Sequence, residues 1–225
     1  MSALTSTPGA LNAATPAARA IKVADNGISS WLGDLVTGAG SSPSHIIITG
    51  ILGVVPGLGQ AMDVRDLVLG VITVSNAPTE TSGYVDLSIS LVGCVPLAGD
   101  ALKVGFKLMR QGKNFGRVLE AISPKLRGNI EKFMRNIHWA SLASDCKQIY
   151  AKVLGAFIEG LDTWIARAVT GKGEVKLIID QLSGLLKKGG EMIDKAFAEL
   201  RQMYNVMMGH DLPLSTAGVG PESPV

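Results

Sequence analysis

Gly53-Val54-Val55-Pro56-Gly57-Leu58-Gly59-Gln60-Ala61-Met62 and Gly93-Cys94-Val95-Pro96-Leu97-Ala98-Gly99-Asp100-Ala101-Leu102 are two copies of one apolar motif, set forty residues apart. Gly, Val, Pro, Gly and Ala recur at the same offsets, and Val64 and Val104 extend the match. Each copy closes one run rich in Ile, Leu and Val and opens another. Proline cannot continue a helix that precedes it, and glycine adopts backbone angles that other residues avoid. The pattern predicts a helix, a sharp Pro-x-x-Gly turn and a second helix. Two such hairpins form an apolar unit over roughly 46 to 110, with turns built on Gly53, Pro56 and Gly59 and on Gly93, Pro96 and Gly99. Each hairpin can bury its aliphatic face only against an equivalent partner or lipid. The two are therefore expected to pack together, with residues 48–58 against 88–98 and with Gly53 and Gly93 permitting close approach.

Outward from the motif, the chain reads as all-α: duplicated apolar helical hairpins followed by long amphipathic helices. No run alternates at strand period for long. Residues 1–44 read as a flexible segment with one short helix over 19–36, its apolar side carried by Ile21, Val23, Ile28, Trp31, Leu32 and Leu35. Ser44 is placed to cap the helix that follows. Residues 45–137 form the apolar hairpin domain with a basic end, and 138–208 an amphipathic helical region. There Leu142, Ile149, Val153, Phe157, Leu161 and Trp164 recur at helical spacing, and a second stripe runs from Val175 to Met207. Gly189-Gly190 is expected to kink or split this last helix. Residues 209–225, rich in Gly, Ser and Pro, read as a linker to a missing C-terminal domain.

Between Asp34 and Asp63 lie 28 residues without a formal charge. A membrane span of that length is interrupted by Pro56 and its flanking glycines. The apolar core from His45 to Val55 is about 16 Å long as a helix, against roughly 30 Å of hydrocarbon. A buried soluble core, a re-entrant hairpin and a segment that inserts only under special conditions all fit. Asp63, Asp66, Asp86 and Asp100 stand at hairpin ends, where protonation in acid would ease burial. No secretory signal is visible, which predicts a chain that begins in the cytoplasm.

Charge is uneven. Residues 1–100 carry three basic and seven acidic side chains, whereas 101–225 carry eighteen and twelve. From 103 to 135 there are nine Lys and Arg against Glu120 and Glu131. A basic stretch behind an apolar hairpin is the pattern that anionic headgroups attract, so Lys103, Lys107, Arg110, Lys113 and Arg117 are candidate anionic-lipid contacts with exposed side chains. A solvated face and a nucleic-acid patch fit the same charges, but few aromatics accompany them, so no nucleic acid is expected.

Catalytic constellations are missing from the sequence. His45, His138 and His210 are far apart, Cys94 and Cys146 have no ligand-like spacing and read as buried free thiols, and no zinc, phosphate-loop, dinucleotide or nucleophile-elbow motif occurs. The chain is read as non-enzymatic, with no cofactor and no metal.

The two Val-Pro-x-x-Gly segments, with Asp63 completing a Pro-x-x-Gly-x-x-x-Asp pattern in the first, resemble the apolar pretoxin regions of bacterial polymorphic toxins, including Rhs-type and other type VI secretion effectors. The resemblance covers about 45–135. The second copy departs from it, since Lys103 stands where the first has Asp63, and no spike-tip domain is recognisable. The resemblance implies an N-terminal region that loads onto a secretion spike protein or chaperone, or that helps a toxin domain in the same polypeptide across the inner membrane of a target cell. It implies residence in the producer's cytoplasm, then in the target, with membrane association. A pore-forming toxin and a soluble helical interaction module are the alternatives.

Overall fold

The computed structural model describes residues 16–32, 43–55, 61–112, 124–167 and 172–208. The fold is all-α, with eight helices and no strand among these residues. They are α1 (Pro16–Leu32), α2 (Pro43–Val54), α3 (Ala61–Asn76), α4 (Thr81–Gly93), α5 (Gly99–Arg110), α6 (Pro124–Arg135), α7 (Trp139–Ile165) and α8 (Lys172–Met207). Helices α2 and α3 are the arms of the first hairpin, and α4 and α5 those of the second. Pro56 and Gly59 lie outside the described residues, but α2 ends and α3 begins on either side of them. The second turn, Pro96 to Gly99, is seen directly. Gly93 closes α4 and Gly99 opens α5, with the Gly99 N–H donating to the Val95 carbonyl at 3.0 Å.

One hydrophobic core runs from Ala24 to Leu200 and takes in every helix. The change of texture at 138 marks no break in the packing, because α2 lies along α7. Gly160 makes that contact possible: a Cβ there would sit 2.6 Å from Ile47 Cγ1 and 3.2 Å from its Cα. Here small residues do permit close helix approach, but between different partners from those expected. The hairpins meet through α3 and α4, while α2 packs on α7 and α1 rather than along 88–98. Gly53 takes no part, since a Cβ there would meet nothing within 4 Å.

Helix α4 is the centre of the molecule. Gly83, Tyr84, Val85 and every residue from Leu87 to Gly93 are buried, and α3, α5, α7 and α8 surround it. A helix apolar over most of its surface is driven to the interior, and the amphipathic stripes of α7 and α8 supply part of the cover. Leu142, Ile149, Val153, Phe157, Leu161 and Trp164 are all buried, as are Val175, Leu182, Leu185, Ile193, Phe197 and Leu200.

Three local expectations change. The buried face of α1 is Ala20, Ala24, Ile28 and Leu32, at strict i,i+4 spacing, and Ile21 and Val23 face outward. Ser44 is buried inside the first turn of α2, and its hydroxyl donates to Asp25 on α1, tying two helices together. Pro43 opens that helix, a position where its missing N–H costs nothing. Lastly, α8 runs unbroken through Gly189-Gly190. Gly189 is a recess: a Cβ there would lie 2.1 Å from the Tyr150 ring, which packs against α8 and donates its hydroxyl hydrogen to the Leu185 carbonyl at 3.1 Å.

Candidate functional site

The two motif copies meet in a buried ion-pair cluster. Asp63 stands one residue before Val64 on α3, and Lys103 one residue before Val104 on α5. Equivalent positions of the duplicated motif thus carry opposite charges, and they pair. Lys103 Nζ donates to Asp63 Oδ1 at 2.7 Å and lies 3.0 Å from Asp66 Oδ2. One helical turn further on, Lys107 Nζ donates to the same Asp66 oxygen at 3.0 Å, and Arg65 donates to Asp66 Oδ1 at 2.6 Å. The stem of Lys103 runs over the end of α4, where Gly93 leaves room for it; a Cβ on Gly93 would stand 2.5 Å from Lys103 Cδ.

Burial alone would push the Asp66 carboxyl up, but hydrogen bonds from Arg65, Lys103 and Lys107 outweigh it and hold the group at about 2. Burial likewise works against the charge on Lys103, and the two carboxylates overcome it, so its ammonium is held above its ordinary range. Asp66 and Lys103 are therefore ionised at neutral pH, and the cluster is closed on itself.

This geometry corrects the reading of the basic stretch. Lys103 is buried, not exposed. Lys107 is exposed, as expected, and is engaged by Asp66. Arg110 pairs with Asp86 at 2.8 Å and approaches Glu199 of α8 at 3.7 Å. These three side chains hold helices together instead of presenting free charge. Lys113 and Arg117 lie outside the described residues. Asp63, Asp66 and Asp86, noted in the sequence only as groups that acid would neutralise, are the partners the sequence reading missed. The signal that would have found them is the charge reversal at one offset of the repeat.

The second turn holds the other unusual feature. Leu97 has φ of 72°, the one positive φ at a non-glycine among the described residues, and its side chain is 100% exposed. A left-handed leucine costs roughly 1–2 kcal/mol, and here no burial offsets it. Glycine was expected to supply the unusual backbone angle. Gly99 serves another need: a Cβ on it would fall 2.4 Å from the Val92 carbonyl oxygen. Beside the turn opens a cleft of about 410 Å³, floored by Ala98, Leu102, Phe133, Ile137 and Leu142 and edged by Lys132, His138, Ser141 and Asp145.

Cys94 and Cys146 are free and buried. Burial, reinforced by Asp63, pushes the Cys94 thiol up to about 12, and burial raises Cys146 as well, so neither is a thiolate at neutral pH. No group of three or more His, Cys, Asp or Glu among the described residues could hold a metal ion, and none of the described helices is long and apolar enough to cross a membrane. Comparison with protein-family models, with curated proteins and with solved structures gives no match.

Proposed function

We propose that this chain is the non-catalytic delivery region of a bacterial type VI secretion effector of the Rhs or polymorphic-toxin kind. In this reading it acts in loading, delivery or membrane translocation of a C-terminal toxin in the same polypeptide. Its partners are a secretion spike protein or a chaperone, and the inner membrane of the target cell. The observation that supports it is the placing of α4. A short, largely apolar helix sits at the centre of the bundle, and the helices on either side of it, α3 and α5, are fastened to each other by charges borne at matching positions of a repeat. Such a bundle is stable in water yet carries apolar surface that a membrane could receive once the fastening opens.

The test is secretion. The chain fused to a reporter enzyme is produced in a strain with a working type VI apparatus and in one lacking its contractile sheath. Reporter in the medium only from the first strain is the expected result; equal amounts from both would overturn the reading.

The same central α4 favours a second reading, a membrane-inserting pore-former. Dye release from vesicles by the chain alone would support it. The long polar faces of α7 and α8 favour a soluble interaction module, which a chain that is neither secreted nor membrane-active would leave standing.

A further inference from the structure

We propose that the Val95–Ala98 turn and the cleft beside it form a two-fold interface with a second copy of this chain, in which Leu97 of each copy fills the cleft of the other. The inference is independent of the delivery reading and rests on the shape and charge of this one patch.

Leu97 buries nothing within the chain and holds a backbone conformation that leucine resists. The motif does not demand a side chain there, because its first copy has Gly57 at that offset. A contact outside the molecule accounts for it, and the recess that suits it is on the same surface. The cleft of about 410 Å³ has an apolar floor that includes Leu102, Phe133 and Leu142, and Leu97 stands on its lip without filling it. An apolar knob and an apolar hole side by side are what a two-fold axis can use. Half a turn brings each knob over the other copy's hole, and every contact is made twice.

Charge selects a second copy over other apolar partners. Lys132 reaches the cleft from α6 and is exposed, and Asp145 reaches it from α7 and is half-buried. Their charged neighbours are taken, Arg135 by Glu131 and Lys147 by Asp194. Among the described residues no ion pair engages Lys132, which lies 5.8 Å over the Phe133 ring, and none engages Asp145. The rim thus offers one free charge of each sign. An anionic surface would be repelled by Asp145 and by the exposed Asp100, and a basic one by Lys132. Another copy, turned by the two-fold, presents its carboxylate to Lys132 and its ammonium to Asp145, so both charges are matched at once. One turn and one cleft make a small interface, and the dimer is expected to be weak, with a dissociation constant in the micromolar range.

Sedimentation velocity of the full chain over a concentration series tests this. The wild type should pass from monomer to dimer as concentration rises. Leu97→Gly should raise the dissociation constant about a hundredfold, since two leucines leave each interface, while the dilute monomer keeps its melting temperature. Lys132→Asp and Asp145→Lys should each raise it about tenfold, an effect that shrinks in high salt. Mixed one to one, these two charge variants should pair with each other at close to wild-type strength, because every carboxylate of the mixed dimer then faces an ammonium. A purely structural role for either residue would not produce that rescue. A wild-type chain still monomeric at about 1 mM would overturn the dimer and leave the turn to a different partner. Dimerisation of Leu97→Gly equal to the wild type, or a mixture no stronger than its components, would equally overturn it.

Discussion

The two hairpins share a motif and differ in where their first arm goes. Helix α4 of the second is enclosed on nearly every side, whereas α2 of the first lies at the edge of the bundle with Leu52 and Val54 exposed. The equivalent glycines follow suit. Gly93 makes way for the Lys103 side chain, and Gly53 faces open space. Duplicated sequence therefore repeats the local structure, helix–break–helix, while the role of each repeated residue is set by what packs on it. The place where the copies carry opposite charges, Asp63 against Lys103, is where they bind each other.

The largest effect should come from breaking that pair. Lys103→Met leaves Asp63 buried without its partner and takes one of three cations from Asp66, and should cost about 3–5 kcal/mol in urea unfolding. Adding Asp63→Asn should recover a substantial part of the loss. A lysine variant as stable as the wild type would show that the seam is held by apolar packing alone.

Acid probes the same cluster from the carboxylate side. The folded-state pKa of Asp66 is depressed from 3.8 to about 2. Its contribution, about 2 kcal/mol, is therefore fully present above pH 4 and is lost as pH falls through 4 toward 2. Lys103 has the opposite sign. Its raised folded-state pKa gives stability that is complete below its ordinary value near 10.5 and is lost only above it. Unfolding free energy should thus be flat between about pH 5 and 9 in this respect, with Lys103→Met removing only part of the acid limb, because Arg65 and Lys107 still hold Asp66. The acid-eased burial expected for Asp66 from sequence needs a pH near 2.

The paired glycines sharpen the comparison on a smaller scale. Gly93→Ala should destabilise by roughly 1–2 kcal/mol, because the new methyl displaces the Lys103 stem from its carboxylates. Gly53→Ala should be neutral or stabilise by up to about 1 kcal/mol, through better helix propensity alone. Equal effects from both would mean that the copies are equivalent after all. Smallest is Leu97→Gly, expected within about 1 kcal/mol of the wild type, since relief of the left-handed strain is set against the greater freedom of an unfolded glycine.

Much of this was legible in the chain. Proline within aliphatic runs predicts where helices stop, and the stripes of α7 and α8 predict which residues are buried, because both rest on local sterics and helical period. The reading faltered wherever a residue's meaning depended on a distant neighbour. Gly189-Gly190 looked like a break and is a seat for Tyr150, 39 residues before the first of them. Lys103 looked like a surface cation because its nearest neighbours in sequence are also basic or apolar, while its carboxylates come from the other hairpin.

By itself, then, the sequence determined the helical class, the position of the Pro96–Gly99 turn and the apolar stripes of α7 and α8, all of which follow from interactions within a few residues. The tertiary structure alone decided that α2 pairs with α7, that α4 becomes the centre, and that opposite charges at one repeat position close on each other. Those choices depend on which surfaces are left to bury once the helices exist. That is a property of the whole chain's apolar area and charge, and no local window contains it.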